Sequence, residues 1–173
     1  MENIKTLISE EQLKERIEQL AKEITAEYEG KTVHIVCVLK GAVMFMVDIA
    51  RKIDLDVRFD FMDVSSYEGT VSSGQIKINK DLDHIIENEH VILMEDIIDT
   101  GRTLSYLLEY LRYKKPASLK VCTLLDKPER RVIKELSPDY VGFVIPDEFV
   151  IGYGLDYDQK YRQLPYIGVL ELS

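Results

Sequence analysis

Cysteine is scarce in this chain of 173 residues, and the two present lie in apolar runs, Cys37 in VHIVCVL and Cys122 in LKVCTLL. Neither has a CxxC neighbour or metal-ligand spacing, so a disulfide framework is excluded and both read as buried, reduced thiols. Excess positive charge is lacking too: 22 Lys and Arg stand against 31 Asp and Glu, for a formal net charge of -9. Such a chain repels polyanions at long range, which argues against nucleic acid and anionic membrane as partners. A polyanionic small substrate fits this balance only where local cations or metal ions meet it. No long apolar run is present either, because residues 33–50 are interrupted by Lys40, Gly41 and Asp48 and cannot span a bilayer. The opening MENIKTLISEEQLKERIEQL has no apolar segment of the secretory kind, so the expected compartment is the cytoplasm. Neither GxxxxGK[ST] nor GxGxxG occurs, which removes the main signatures of P-loop and dinucleotide-binding proteins.

The composition that is present, 46% hydrophobic and 31% charged, is that of an ordinary globular protein, and the length suits one domain over residues 1–173. Ser9 and Gln12 have capping-box spacing, and Leu13, Ile17, Leu20 and Ile24 share a face, so residues 9–28 are expected to form an amphipathic helix stopped by Gly30. VHIVCVL reads as a strand covered on both faces, followed by a helix from Ala42 to about Ile53. Further strands are expected at Val57–Val64, QIKIN, His90–Met94, Leu119–Leu125, Tyr140–Ile145 and Tyr166–Leu172, with helices over LSYLLEYLRYKK and PERRVIKEL. Alternating strands and helices predict an α/β fold: a doubly wound, mostly parallel sheet, with a small irregular cap, or hood, built from the termini.

Ligands of open α/β sheets sit at the carboxyl ends of the strands. After VILM come Glu95, Asp96 and Asp99, then Thr100, Gly101, Arg102 and Thr103. Three carboxylates in five residues repel one another unless a cation or hydroxyl-rich ligand lies among them. TGRT, opening a helix, offers backbone N–H groups, two hydroxyls and a guanidinium to a phosphate. Acceptors for hydroxyls or a metal thus adjoin donors for a phosphate, and the complementary ligand is a sugar phosphate. The competing interpretation is a solvated acidic turn with a Thr-Gly helix cap.

VILMEDIIDTGRTL resembles the phosphoribosyl-pyrophosphate motif of the type I phosphoribosyltransferases. LKGA (39–42), SSYEG (65–69), LLDKPERR (124–131) and VGFVIPDEFVIGYGLDYDQKYRQLPYIGVL (141–170) resemble its 6-oxopurine branch, the bacterial hypoxanthine phosphoribosyltransferases. The likeness runs over nearly everything from Val33 onward; Arg102 stands where some relatives carry Lys. It implies purine salvage: transfer of the 5-phosphoribosyl group from phosphoribosyl pyrophosphate to hypoxanthine or guanine, with release of pyrophosphate.

The resemblance also implies roles. Glu95 and Asp96 take the ribose hydroxyls directly or through Mg²⁺, and Asp156 positions a second Mg²⁺, so that these three are the metal residues. Asp99 is the general base, near the purine N7. Residues 100–103 hold the 5-phosphate. Lys40 and Gly41 face the pyrophosphate across a non-proline cis peptide between Leu39 and Lys40, and Arg162 binds the same group. Lys127 donates to the purine O6, Phe149 stacks on the ring, and the Val150 backbone reads its edge. Residues 65–76, including Ser66 and Tyr67, serve as a lid that keeps water from an oxocarbenium-like centre. A homodimer or homotetramer is implied as well. Two other classes compete with this one. A regulator of the same fold binding nucleotide and RNA is opposed by the acidic balance and the lack of a basic stripe. A receiver-type α/β domain would bind only Mg²⁺ through its acidic cluster.

Overall fold

Ser9 opens the first long helix by the expected reciprocal cap: its hydroxyl accepts from the Gln12 amide at 3.2 Å, and the Gln12 side chain accepts from the Ser9 amide at 2.8 Å. The computed structural model describes residues 3–66 and 76–171. Helix α1 (Glu10–Glu27) buries Leu13, Ile17, Leu20, Ala21 and Ile24, and Gly30 follows with φ 73°. Strand β2 (Val33–Leu39) is buried along nearly its whole length, as a central parallel strand should be. Helix α2 (Val43–Ala50) ends one turn before the expected Ile53, although the Ile53 amide still bonds to the Ile49 carbonyl at 3.1 Å.

β3 (Val57–Ser66), β4 (Ile76–Lys80), β5 (His90–Ile98), β6 (Ser118–Asp126) and β7 (Tyr140–Val144) complete a six-stranded sheet with β2, in the order β4-β3-β2-β5-β6-β7. All its pairings are parallel except β3 with β4. The expected doubly wound, mostly parallel sheet is therefore present. One apolar layer joins α1, α2 and the sheet. The other lies under α3 (Arg102–Tyr113), whose Leu104, Leu107, Leu108 and Leu111 repeat at helical spacing. Burying each such leucine is worth about 1.5–3 kcal/mol. The β7 edge is blunted by Arg16 of α1, which donates to the carbonyls of Val141 (2.8 Å) and Gly142 (3.1 Å).

Three expectations change. The hood is regular: β1 (Asn3–Ile8), β9 (Ile167–Glu171) and β8 (Val150–Ile151) form an antiparallel sheet in the order β1-β9-β8. β1 was not expected, because its pairing (Asn3 with Glu171) joins the two ends of the chain and its outward residues blur the alternation. PERRVIKEL forms only a 3-10 turn, Pro128–Arg130. Helix extension fails there because Arg131 turns inward to Asp126 while the Val132 amide bonds to the Thr100 carbonyl at 2.9 Å. Finally, β5 runs four residues past Met94, so Glu95 and Asp96 belong to the strand itself. Most of the expected lid, Tyr67 included, lies outside the described residues; Ser66 is the last residue of β3.

The hood is locked to the sheet by Tyr153, whose hydroxyl donates to Asp48 of α2, and by Gly154. Gly154 has φ 103°, and the Gly41 carbonyl oxygen occupies the place its side chain would take. Alanine there meets both an unfavourable backbone region and a backbone clash. Gly154→Ala should cost about 2 kcal/mol or more in urea unfolding, and an unchanged midpoint would contradict this packing.

Candidate active site

Because β2, β5, β6 and β7 are neighbours and parallel, their carboxyl ends share one edge of the sheet. That edge carries Lys40 and Gly41 after β2, residues 99–103 after β5, Lys127 after β6, and the segment leading from β7 to β8. Residues far apart in sequence meet there because the strand order places them there. The Leu39–Lys40 peptide is cis, as the resemblance implies. Lys40 is exposed and Gly41 is buried.

Successive strand residues point to opposite faces, so Glu95 and Asp96 diverge. The Asp96 carboxylate lies against the α-carbon of Gly41, in the place a side chain would take, and its Oδ1 accepts from the Ile97 amide at 2.7 Å. Burial raises its pKa to about 6, with the Asp156 charge adding to the rise; the Ile97 amide and Arg162 offset part of it. Asp96 is half-buried and Glu95 buried, and burial together with the Asp96 charge holds Glu95 well above the usual carboxylate range. Two acids with little water around them are thus stored at the strand end, where a cation or a hydroxyl-bearing ligand would relieve both.

The loop after β5 is shaped by two arginines from the segment after β6. Arg130 Nε donates to Asp99 Oδ1 at 3.0 Å. Buried Arg131 pairs with Asp126, donates to the Leu136 carbonyl at 2.7 Å and reaches the Asp99 carbonyl at 3.4 Å. Gly101, with φ 83°, has Leu136 and Arg131 packed where a side chain would be. It offers α3 no side-chain cap of its own; the Arg102 amide reaches the Thr100 hydroxyl at 3.4 Å, and the amides that follow are left to another acceptor. Glu95, Asp96, Asp99, Thr100, Gly101 and Thr103 line a pocket of about 210 Å³. Arg102 and Thr103 are exposed at its rim.

Lys127 is buried, and its Nζ donates to the Glu148 carbonyl at 2.5 Å, with Asp147 Oδ1 at 3.7 Å. Its amide bonds to the Ile98 carbonyl at 3.0 Å, tying β6 to the end of β5. Phe149 is half exposed and meets Tyr157 edge to face at 5.7 Å, while Val150 is buried in β8. Arg162 Nη1 donates to the Gly154 carbonyl (2.7 Å) and Nη2 pairs with Asp156 Oδ1 (2.8 Å); Asp156 Oδ2 accepts from the Gln159 amide at 2.8 Å.

The structure therefore brings Lys40, Gly41, residues 95–103, Lys127, Phe149, Val150, Asp156 and Arg162 to one edge and the hood above it. Among the described residues, Glu95, Asp96 and Asp156 do not each bring an oxygen within 4.8 Å of the others. The side chains of Ser66 and Tyr67 lie outside the described residues. Arg130, Arg131 and Gly154 were not singled out by the sequence. Arg130 and Arg131 stand in LLDKPERR beside a turn proline, the one signal that could have marked them.

A family model described as a phosphoribosyl transferase domain matches residues 4–158. The chain is 56% identical over 168 residues to the bifunctional protein TilS/HprT of Listeria monocytogenes; the match covers 96% of this chain but 26% of that protein. It is 52% identical over 168 residues to the hypoxanthine-guanine phosphoribosyltransferase of Streptococcus thermophilus, covering 96% of this chain and 93% of that one. A crystal structure of a hypoxanthine-guanine phosphoribosyltransferase from Bacillus anthracis superposes with a TM-score of 0.93 at 48% identity, over 98% of this chain and 100% of the other.

The raised carboxylate at Asp96 has a consequence for stability. A folded-state value of about 6, above the ordinary 3.8, means that the native chain binds the proton more tightly than the unfolded chain. Stability therefore falls as pH rises through that interval, and the loss is complete above it. Asp96→Asn, which cannot ionise, should be more stable than wild type near pH 8 by about 1–3 kcal/mol, and the gain should vanish near pH 4. Thermal melts across that range check this; parallel curves for the two proteins would refute it.

Proposed function

The chain belongs to the phosphoribosyl transferase family, and we propose that it is a 6-oxopurine phosphoribosyltransferase of purine salvage. It moves the 5-phosphoribosyl group of phosphoribosyl pyrophosphate to N9 of hypoxanthine or guanine, giving IMP or GMP and pyrophosphate. The observation that carries this reading is the convergence of the Asp99–Thr103 loop with buried Lys127 beneath a hood bearing Phe149 and Val150. The Streptococcus thermophilus relative, matched over 93% of its length, carries the corresponding name.

In the reaction the bond from the anomeric carbon to pyrophosphate breaks, the bond to N9 forms, and the base loses a proton. Asp99 receives that proton from the purine, with Arg130 holding its carboxylate in place. Thr100–Thr103 and the uncapped first turn of α3 hold the 5-phosphate. Lys40, Gly41 and Arg162 face the pyrophosphate. Phe149 covers the purine ring, and the Val150 backbone meets its edge.

The donor set suits Mg²⁺. Glu95, Asp96 and Asp156 offer only oxygen, and the first two, one buried and one half-buried, stand next to each other with raised pKa values, an arrangement that favours a nearby cation. These residues would hold Mg²⁺, which when bound neutralises charge on the departing pyrophosphate. The same reading makes the protein a cytoplasmic homodimer or homotetramer with small-molecule substrates and without nucleic-acid or membrane partners. Ile85 and Tyr113, which border one surface groove, are exposed apolar side chains suited to such a contact. Among the described residues, no helix is long and apolar enough to cross a membrane.

Two outcomes test the assignment. Asp99→Asn should keep its fold and nucleotide affinity yet lose about 10²–10⁴ in single-turnover rate; a change below about threefold would remove Asp99 as the base. Lys127 bears only donors, so it fits a carbonyl at purine position 6 and opposes an amino group there. Adenine should be disfavoured by roughly 10⁴ or more in kcat/KM. Lys127→Gln, whose amide can offer either polarity, should lower activity on hypoxanthine and narrow that gap. Initial rates with hypoxanthine, guanine, xanthine and adenine decide it, and adenine use within about tenfold of hypoxanthine would overturn the 6-oxopurine assignment.

A further inference from the structure

At the opposite edge of the sheet from Asp99 and Lys127, three side chains meet that the proposed reaction does not use. His34 is the second residue of β2, Asp60 the fourth of β3, and His84 lies in the connection from β4 to β5. One ligating atom from each falls within 4.8 Å of the other two. His84 Nδ1 is 3.2 Å from Asp60 Oδ2, and His34 Nε2 is 3.7 Å from the same oxygen.

The carboxylate is fully buried but not in need of a proton. Its Oδ1 accepts from the amides of Phe61 (2.9 Å) and Asp83 (3.0 Å), and its Oδ2 from those of Asp83 and His84, both at 3.0 Å. Burial alone would raise its pKa, yet these amides bring it below the ordinary value, so a fixed negative charge stands inside the protein.

His34 is the unexplained member. It is completely buried, and neither ring nitrogen has a hydrogen-bond partner among the described residues. Buried polar side-chain atoms are in the large majority partnered, so an imidazole with both nitrogens idle calls for a ligand. His90, by contrast, has its Nδ1 satisfied by the Ser118 hydroxyl at 2.8 Å. A purely structural pair of His84 with Asp60 would account for two of the three groups and leave His34 without a purpose.

We propose that His34, Asp60 and His84 form a binding site for a borderline transition-metal dication, with Zn²⁺ as its representative. Two imidazole nitrogens and one carboxylate are a donor set that zinc accepts, whereas Mg²⁺ and Ca²⁺ favour oxygen alone. Two neutral imidazoles and one carboxylate carry a single negative charge against the ion, and a solvent water completes four-coordination. The competing cation nearby is Lys80, whose Nζ lies 4.0 Å from Asp60 Oδ1; it is engaged by Asp83 Oδ2 at 2.9 Å and by the carbonyls of Asp81 and Phe61. It approaches the oxygen that the imidazoles leave alone. Arg58 is likewise occupied by Glu89 at 2.9 Å. His84 has a side chain 68% exposed, so its ring supplies the entry path from solvent. A bound ion would tie β2, β3 and the β4–β5 connection at the end of the sheet remote from the Asp99 loop.

The chain has three histidines, so its imidazole spectrum reads the site directly. EDTA-treated, desalted protein is titrated with ZnCl₂ and followed by long-range ¹H–¹⁵N spectra of the histidine rings. One equivalent of zinc should shift His34 and His84 together and leave His90 unmoved, and excess Mg²⁺ should not reverse the shift. His84→Ala should bind zinc about tenfold more weakly or worse in equilibrium dialysis, while its metal-free melting temperature and its phosphoribosyl transfer rate stay as in wild type. Unmoved His34 and His84 signals under saturating zinc, or undiminished zinc uptake by His84→Ala, would overturn the site and place any bound zinc on carboxylates elsewhere.

Discussion

An oxygen of the Asp96 carboxylate sits over the α-carbon of Gly41 where a side chain would begin, and the Gly41 carbonyl oxygen sits in the same way over Gly154. Three segments distant in sequence, the loop after β2, the end of β5 and the hood, are thereby packed directly against one another at the Gly41 backbone. No residue with a β-carbon could stand at either glycine without moving one of the others. The electrostatics of the site follow from this packing. Pressed against backbone, Asp96 loses water and its pKa rises. The cation that partly offsets the rise is Arg162, which is itself held by the Gly154 carbonyl and by Asp156. The position of the hood and the charge state of the acid are thus a single constraint.

What could be read from the sequence is what depends on near neighbours. The capping box of α1 needs only Ser9 and Gln12, and it is present as expected. β2 announces itself as a nearly continuous apolar run because both its faces are covered. The density of carboxylates after VILM pointed to the candidate site because like charges in a short span repel one another unless a partner lies among them. What could not be read depends on partners far away. β1 is a strand only because β9 lies beside it, and the 3-10 turn replaces a helix only because Arg131 finds Asp126 and the Val132 amide finds Thr100. His34 inside VHIVCVL gave no hint either, since its companions Asp60 and His84 come from other elements.

Asp96 and Asp60 show how little residue type alone decides. Both are aspartates removed from water on strands of one sheet, yet one is shifted up and the other down. The difference lies in the amides. Asp60 gathers the N–H groups of Phe61, Asp83 and His84, enough to stabilise its charge without solvent. Asp96 has the Ile97 amide and a nearby Asp156 charge that works against it. The first carboxylate keeps its charge without any cation present, and the second is held toward its protonated form.

That incompleteness fits the substrate proposed for this edge. A protein of net charge -9 must admit a ligand bearing several phosphate charges, and its local cations are largely committed. Arg130 is paired with Asp99, Arg162 with Asp156, Arg131 with Asp126, and the Lys127 ammonium with the Glu148 carbonyl. These pairings fix geometry, and for that reason they cannot also supply free positive charge. Lys40 and Arg102, exposed at this edge, and the neutral donors beside them, the first-turn amides of α3 and the threonine hydroxyls, fall short of the several negative charges of such a ligand. Further countercharge arrives with the ligand in the proposed enzyme, beside buried Glu95 and half-buried Asp96. In the proposed enzyme, the acids that weaken the empty protein at neutral pH are the same groups that make binding of a cation-complexed substrate favourable.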